Sequence, residues 1–114
     1  NLDQRRSEHE SWPAKVRRFE PAEFDPTRCR FGQFYYNYRP NNPELLEVYS
    51  RFEEPHRRLH EAGHRSINLY EAGRLEEAAE AIKAMEVEYQ KIRVVFEEFY
   101  RVMEQLFLEG TSIF

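Results

Sequence analysis

From residue 75 to residue 106, apolar positions return every three to four residues: Leu75, Ala78, Ala79, Ile82, Met85, Tyr89, Ile92, Val95, Phe96, Phe99, Val102, Met103 and Leu106. Glu76, Glu77, Glu80, Lys83, Glu86, Lys91 and Glu97 fill the opposite side. That period belongs to an α-helix with one buried face. Roughly 30 residues make a rod about 45 Å long, and its apolar stripe needs a partner of similar length. The stretch from Pro43 to about Ala72 offers one, with an inward stripe of Leu45, Tyr49, Phe52, His56, Leu59, His60, Gly63, Ile67 and Tyr70. Asn42, Pro43 and Glu44 read as an N-cap, a proline at the first helical position and an early acid. Gly73 is placed to end this segment, and Pro55 predicts either a kink or two abutting helices.

Upstream, residues 2–19 predict a shorter helix with Trp12, Val16 and Phe19 on one side, bent or restarted at Pro13. Residues 20–28 read as a loop. Cys29 to Tyr38 is dense in aromatics and predicts a short helix plugged onto the rest. No segment alternates with period two for long enough to make a strand. The expected fold class is all-α: an antiparallel four-helix bundle with a short extra helix carrying Cys29.

Composition narrows the class. A chain of 114 residues holds one domain, 1–114. It starts at Asn1 without a signal-peptide pattern, so we expect a domain cut from a longer protein. A net charge of −4 argues against a general nucleic-acid binder. No apolar run approaches the ~20 residues that span a bilayer, so no membrane insertion by this fragment is expected. A single cysteine excludes an internal disulfide framework.

The candidate chemistry lies in His9, Cys29, His56, His60 and His64. His56 and His60, four apart on a helix, stand one turn above each other, and both imidazoles can reach one ion. Their alignment with Phe52, Leu59, Gly63 and Ile67 turns them inward. The spacing alone leaves two readings open: a metal pair, or core histidines satisfied by backbone or by some of the seven tyrosines. Taken singly, Cys29 reads as a small buried hydrophobe, His9 as a surface residue between Glu8 and Glu10, and His64 as a rim residue.

Three segments change that weighting when read in order. HESW at 9–12, CRFGQFYY at 29–36 and EPHRRLHEAG at 54–63 resemble the chemoreceptor zinc-binding family. That family shows H-x-x-W on its first helix, C-x-[LF]-G-x-[WF] on a short insert and H-x-x-x-H on a later long helix. The resemblance runs from about His9 to Phe99. It implies a four-helix bundle that binds zinc through His9, Cys29, His56 and His60, leaving His64 outside the ligand set. It also implies a homodimer and membership of a larger signalling receptor. Phe34 stands where tryptophan is commoner, and Pro13 directly after Trp12 is unusual on a helix.

Three neutral imidazoles and one thiolate would form a closed tetrahedral set suited to Zn²⁺, with no open position for hydrolytic water. Glu53, Glu54 and Glu61 are candidates to orient the imidazoles. The expected function is therefore a non-enzymatic zinc-binding sensory domain of a bacterial chemoreceptor, read out through zinc occupancy or oxidation of Cys29. One alternative is a metal-free or zinc-clamped helical ligand-binding or dimerisation module. The other is a di-iron bundle, for which only one Glu-x-x-His pair, Glu53 and His56, is present. The run Asp25 to Cys29 resembles family members outside the membrane, so a periplasmic location is expected, with a cytoplasmic one as the alternative.

Overall fold

A computed structural model describes residues 11–20 and 22–110. Those residues are all-helical, with no strand among them. Helix α1 covers 11–17 among the described residues, so the part of the first helix expected over residues 2–10 lies outside them. It is followed by α2 (Arg30–Asn37), α3 (Pro43–Ser50), α4 (Glu53–Glu71) and α5 (Leu75–Leu108). The molecule measures 55 × 21 × 19 Å, and 34 residues of α5, about 51 Å of helix, set its long axis.

Local sequence explains each boundary. The Asn42 side chain accepts from the amides of Glu44 and Leu45, and Pro43 opens α3 where its missing N–H costs nothing. Of the two outcomes expected at Pro55, the structure has abutting helices: α3 ends at Ser50 and α4 starts at Glu53. Pro55 then lies in the first turn of α4, where no intrahelical bond is lost. Gly73 has φ +76°, its amide donates to the Tyr70 carbonyl, and the Arg74 amide donates to Leu69, which closes α4 as a Schellman turn. The chain turns there, and α5 packs against α4.

Helix α1 ends the same way without a glycine. Phe19 takes φ +55°, its amide donating to Val16 and that of Glu20 to Lys15. A left-handed phenylalanine costs on the order of 1–2 kcal/mol. Its ring stacks on Tyr70 at 4.2 Å, which offsets that strain and ties the end of α1 to the end of α4. Trp12 meets α4 earlier, at His60, so α1 and α4 advance in the same direction.

The core is the two predicted stripes facing each other. Leu45, Tyr49, Phe52, Leu59 and Ile67 are buried with Met85, Ile92, Phe96, Phe99, Val102 and Leu106. The stripes end sooner than the periodicity implied: Tyr70, Leu75 and Ala79 are exposed, because they lie at the turn where few side chains remain to cover them. Helix α2 is held by Phe31, whose ring packs edge-on against Phe52 and Phe96. The Tyr49 hydroxyl reinforces this by donating to the Tyr35 carbonyl at 2.6 Å.

Candidate metal centre

The site is assembled from one short turn and one rigid helix. Asp25 opens the turn: its carboxylate accepts from the Thr27 amide at 2.9 Å and the Thr27 hydroxyl at 2.7 Å. Its carbonyl accepts from the amides of Arg28 and Cys29. Cys29 becomes the N-cap of α2, its sulfur accepting from the Gly32 amide at 3.3 Å. The Sγ also lies 3.7 Å from the Pro26 carbonyl. That carbonyl explains the glycine of the motif, since a Cβ on Gly32 would stand 1.8 Å from it.

Helix α4 supplies the other wall. His56 and His60 are buried, 1% and 0% exposed, with ring centroids 4.7 Å apart and nearly perpendicular planes. Phe31 packs edge-on against His56 at 4.9 Å, and the Trp12 ring lies 4.5 Å from His60. Cys29 Sγ approaches His56 Nε2 to 3.3 Å. One ligand atom from each of Cys29, His56 and His60 lies within 4.8 Å of the others. Donors around one tetrahedral zinc stand about 3.3–3.8 Å apart, given bonds of ~2.0–2.3 Å. The cluster therefore reaches that geometry by closing about an ångström, and its soft sulfur and two imidazoles suit Zn²⁺.

Burial disfavours the charged forms of Cys29 and His60 in the absence of a metal. Burial pushes the Cys29 thiol up to about 11, against the downward pull of the Gly32 and Phe31 amides at the helix start. Burial likewise pushes His60 down to about 4, against the opposing pull of the backbone at Phe24 and Glu23. A neutral imidazole offers its lone pair at once. The thiol must lose its proton to bind.

The remaining candidates are distributed as follows. His9 lies outside the described residues. His64 is exposed and stacks on Phe24 at 4.8 Å, away from the cluster. Glu53 accepts from the Tyr36 hydroxyl at 2.7 Å, while Glu54 and Glu61 pair with Arg57 on the outer side of α4. Among the described residues, none of these carboxylates joins the donor cluster. The main-chain groups of Glu23, Phe24 and Pro26 around the donors were not among the expected site residues. No side-chain identity announces them; only the three motif residues that they contact do.

The family model of the chemoreceptor zinc-binding domain matches residues 4–67, more than half of the chain. The chain belongs to the chemoreceptor zinc-binding family. No curated protein and no solved structure matches it. Chemoreceptor zinc-binding domains bind zinc and occur within signalling receptors, and the Cys29–His56–His60 cluster fits that chemistry. Membership corrects the expected location. The family is a cytoplasmic domain of chemoreceptors, so the periplasmic reading of residues 25–29 does not stand. Those residues build a turn that caps α2 and presents Cys29, a local task that carries no information about compartment. Among the described residues, no helix is long and apolar enough to cross a membrane.

Proposed function

We propose that this chain is the zinc-binding sensory domain of a bacterial chemoreceptor-type signalling protein, with one Zn²⁺ held by His9, Cys29, His56 and His60. The observation that carries the reading is the convergence of a buried cysteine and two buried histidines from separate segments. His9 completes the set by sequence logic: it stands three residues before Trp12, a spacing that puts side chains on one helical face. Trp12 in turn touches His60. When bound, the metal would supply a cross-link between the first helix, α2 and α4. One thiolate brings the site's charge to +1, which costs less to bury than a bare dication.

The same geometry supports a signalling role rather than catalysis. His56 and His60 share one rigid helix, whereas Cys29 caps a separate eight-residue helix. Loss of zinc, or oxidation of the Cys29 thiolate by a peroxide or hypochlorous acid, would release the first helix from α4 and bias a two-state arrangement. The fold in this reading is a four-helix bundle whose antiparallel pair is α4 against α5, with α1 alongside α4. It works as a homodimer within a longer receptor. Elemental analysis of the purified chain tests the reading directly: about one zinc per chain supports it, and iron or no metal overturns it.

A further inference from the structure

A cleft of about 230 Å³ opens between α1 and the start of α2. Its walls include Trp12, Lys15, Glu23, Arg28, Cys29 and Arg30. Of the three clustered donors only Cys29 lines it; His56 and His60 do not. The exposures agree, at 7% for Cys29 against 1% and 0% for the histidines. A competing ligand that approaches along this cleft therefore meets the sulfur first. Among the described residues, its lining places Lys15, Arg28 and Arg30 beside the carboxylate of Glu23, on a chain whose net charge is −4. The volume lies below the ~300–1,000 Å³ of drug-sized pockets, so a visitor must be small.

We propose that this cleft is the exchange port of the zinc site and that its cationic rim selects small anionic chelators, of the polycarboxylate class, as the species that load and unload the metal. The inference rests on the zinc-site reading above. In the exchange step a carboxylate oxygen forms a bond to zinc as the zinc–sulfur bond breaks. The electron pair stays on Cys29, which takes a proton from solvent, and no oxidant or reductant is involved. Lys15, Arg28 and Arg30 raise the local concentration of the anion and so act on the rate, while the donors that set the equilibrium are unchanged.

The test measures transfer of radiolabelled zinc from the loaded chain to nitrilotriacetate, an anion, and to triethylenetetramine, a cation at neutral pH. The Lys15→Gln/Arg28→Gln variant is expected to slow transfer to nitrilotriacetate about tenfold and to leave transfer to triethylenetetramine within twofold. Raising salt in the wild-type chain should reproduce the same selectivity. A charge-matched control, Arg74→Gln/Lys83→Gln, changes cations remote from the cleft and should alter neither rate. Equal slowing with both chelators, no slowing with either, or equal slowing in the control would overturn the port. A wild-type chain that holds no zinc at all would instead overturn the metal-site reading, and the port with it.

Discussion

Trp12 lies so close to Gly63 that a Cβ at residue 63 would stand 2.4 Å from the indole Cη2 atom. The same ring lies 4.5 Å from His60, one helical turn earlier on α4, and its Nε1 donates to the Glu23 carbonyl at 2.8 Å. The bare backbone at Gly63 thus seats the indole, and the seated indole covers His60 while pinning the loop that leads to Cys29. Two residues without a donor atom for zinc thereby fix how the donors meet.

Gly63→Ala should therefore lift the indole. Overpacking of this kind costs about 1–3 kcal/mol, read by denaturant unfolding. Trp12 is the single tryptophan of the chain, so its emission should shift to longer wavelength as the ring gains water. Unchanged emission and stability together would mean that the alanine methyl is absorbed elsewhere and that the seat is not required.

Gly32→Ala acts on the other wall and should be harsher for metal binding. Its Cβ would meet the Pro26 carbonyl oxygen at 1.8 Å, and a main-chain oxygen cannot rotate aside as a side chain can. The turn must move, and Cys29 moves with it. Zinc affinity should fall about tenfold or more by chelator competition, whereas Arg30→Ala, exposed on the same helix, should stay within about threefold. Equal behaviour of the two variants would count against the capped turn as the element that positions the thiol.

Much of this arrangement was legible in the sequence. The period of α5, the Asn42–Pro43 start and the Gly73 stop each rest on local chemistry, and local chemistry is what sequence patterns record. His56 and His60 were readable as inward-facing because Phe52, Leu59 and Ile67 share their stripe. What escaped were relations between main-chain atoms and distant side chains: the Pro26 carbonyl over Gly32, and the Glu23 carbonyl under Trp12. Glu53 illustrates the converse. Its position one turn before His56 made it a plausible partner for the imidazole, yet Tyr36, brought over by α2, takes its carboxylate. The left-handed Phe19 also had no signal, since it is tertiary stacking on Tyr70 that holds a conformation the residue itself disfavours.

Among the proposed ligands, removal of the thiol should be the most damaging. Cys29→Ala deletes the only donor that carries charge and leaves a dication among neutral imidazoles. His9→Ala removes a neutral donor and should weaken zinc less. His64→Ala should leave affinity unchanged, because that ring is exposed against Phe24. Chelator competition at pH 7 ranks the three. Equal losses for Cys29 and His9 would show that charge is not the governing term, and a loss confined to His64 would move the fourth ligand there.

The metal-free chain should be most stable between about pH 6.5 and pH 9. His60 is held down at about 4, so below 6.5 the unfolded chain takes a proton that the folded chain refuses, and stability falls until pH 4. Cys29 is held up at about 11 against an ordinary 9.0, so above 9 the unfolded chain ionises first and stability falls again. Each limb amounts to about 3 kcal/mol at about 1.4 kcal/mol per pH unit. Denaturant unfolding of chelator-stripped protein across this range would give the dome, and a monotonic profile would contradict it.

Zinc uptake should release a proton from Cys29 and therefore gain strength as pH rises. With its thiol held up at about 11, the metal-free residue is protonated through pH 7 to 9, while the metal binds thiolate. Each zinc bound displaces that proton, so the contribution of Cys29 to the apparent affinity grows about tenfold per pH unit over the window. His60 adds nothing to this slope, since an imidazole held down at about 4 is already neutral. An exposed thiol of ordinary pKa would flatten the curve near pH 9, so the persistence of the slope reports burial of the sulfur as well as its ligation. Calorimetry at pH 8 in buffers of different ionisation enthalpy counts the protons. About one per zinc is expected from the wild-type chain and almost none from Cys29→Ala. A wild-type count near zero would mean either that the sulfur is already ionised or that zinc does not bind it. Thiol alkylation rates in the metal-free chain separate these, because an ionised Cys29 would react rapidly and a buried thiol slowly.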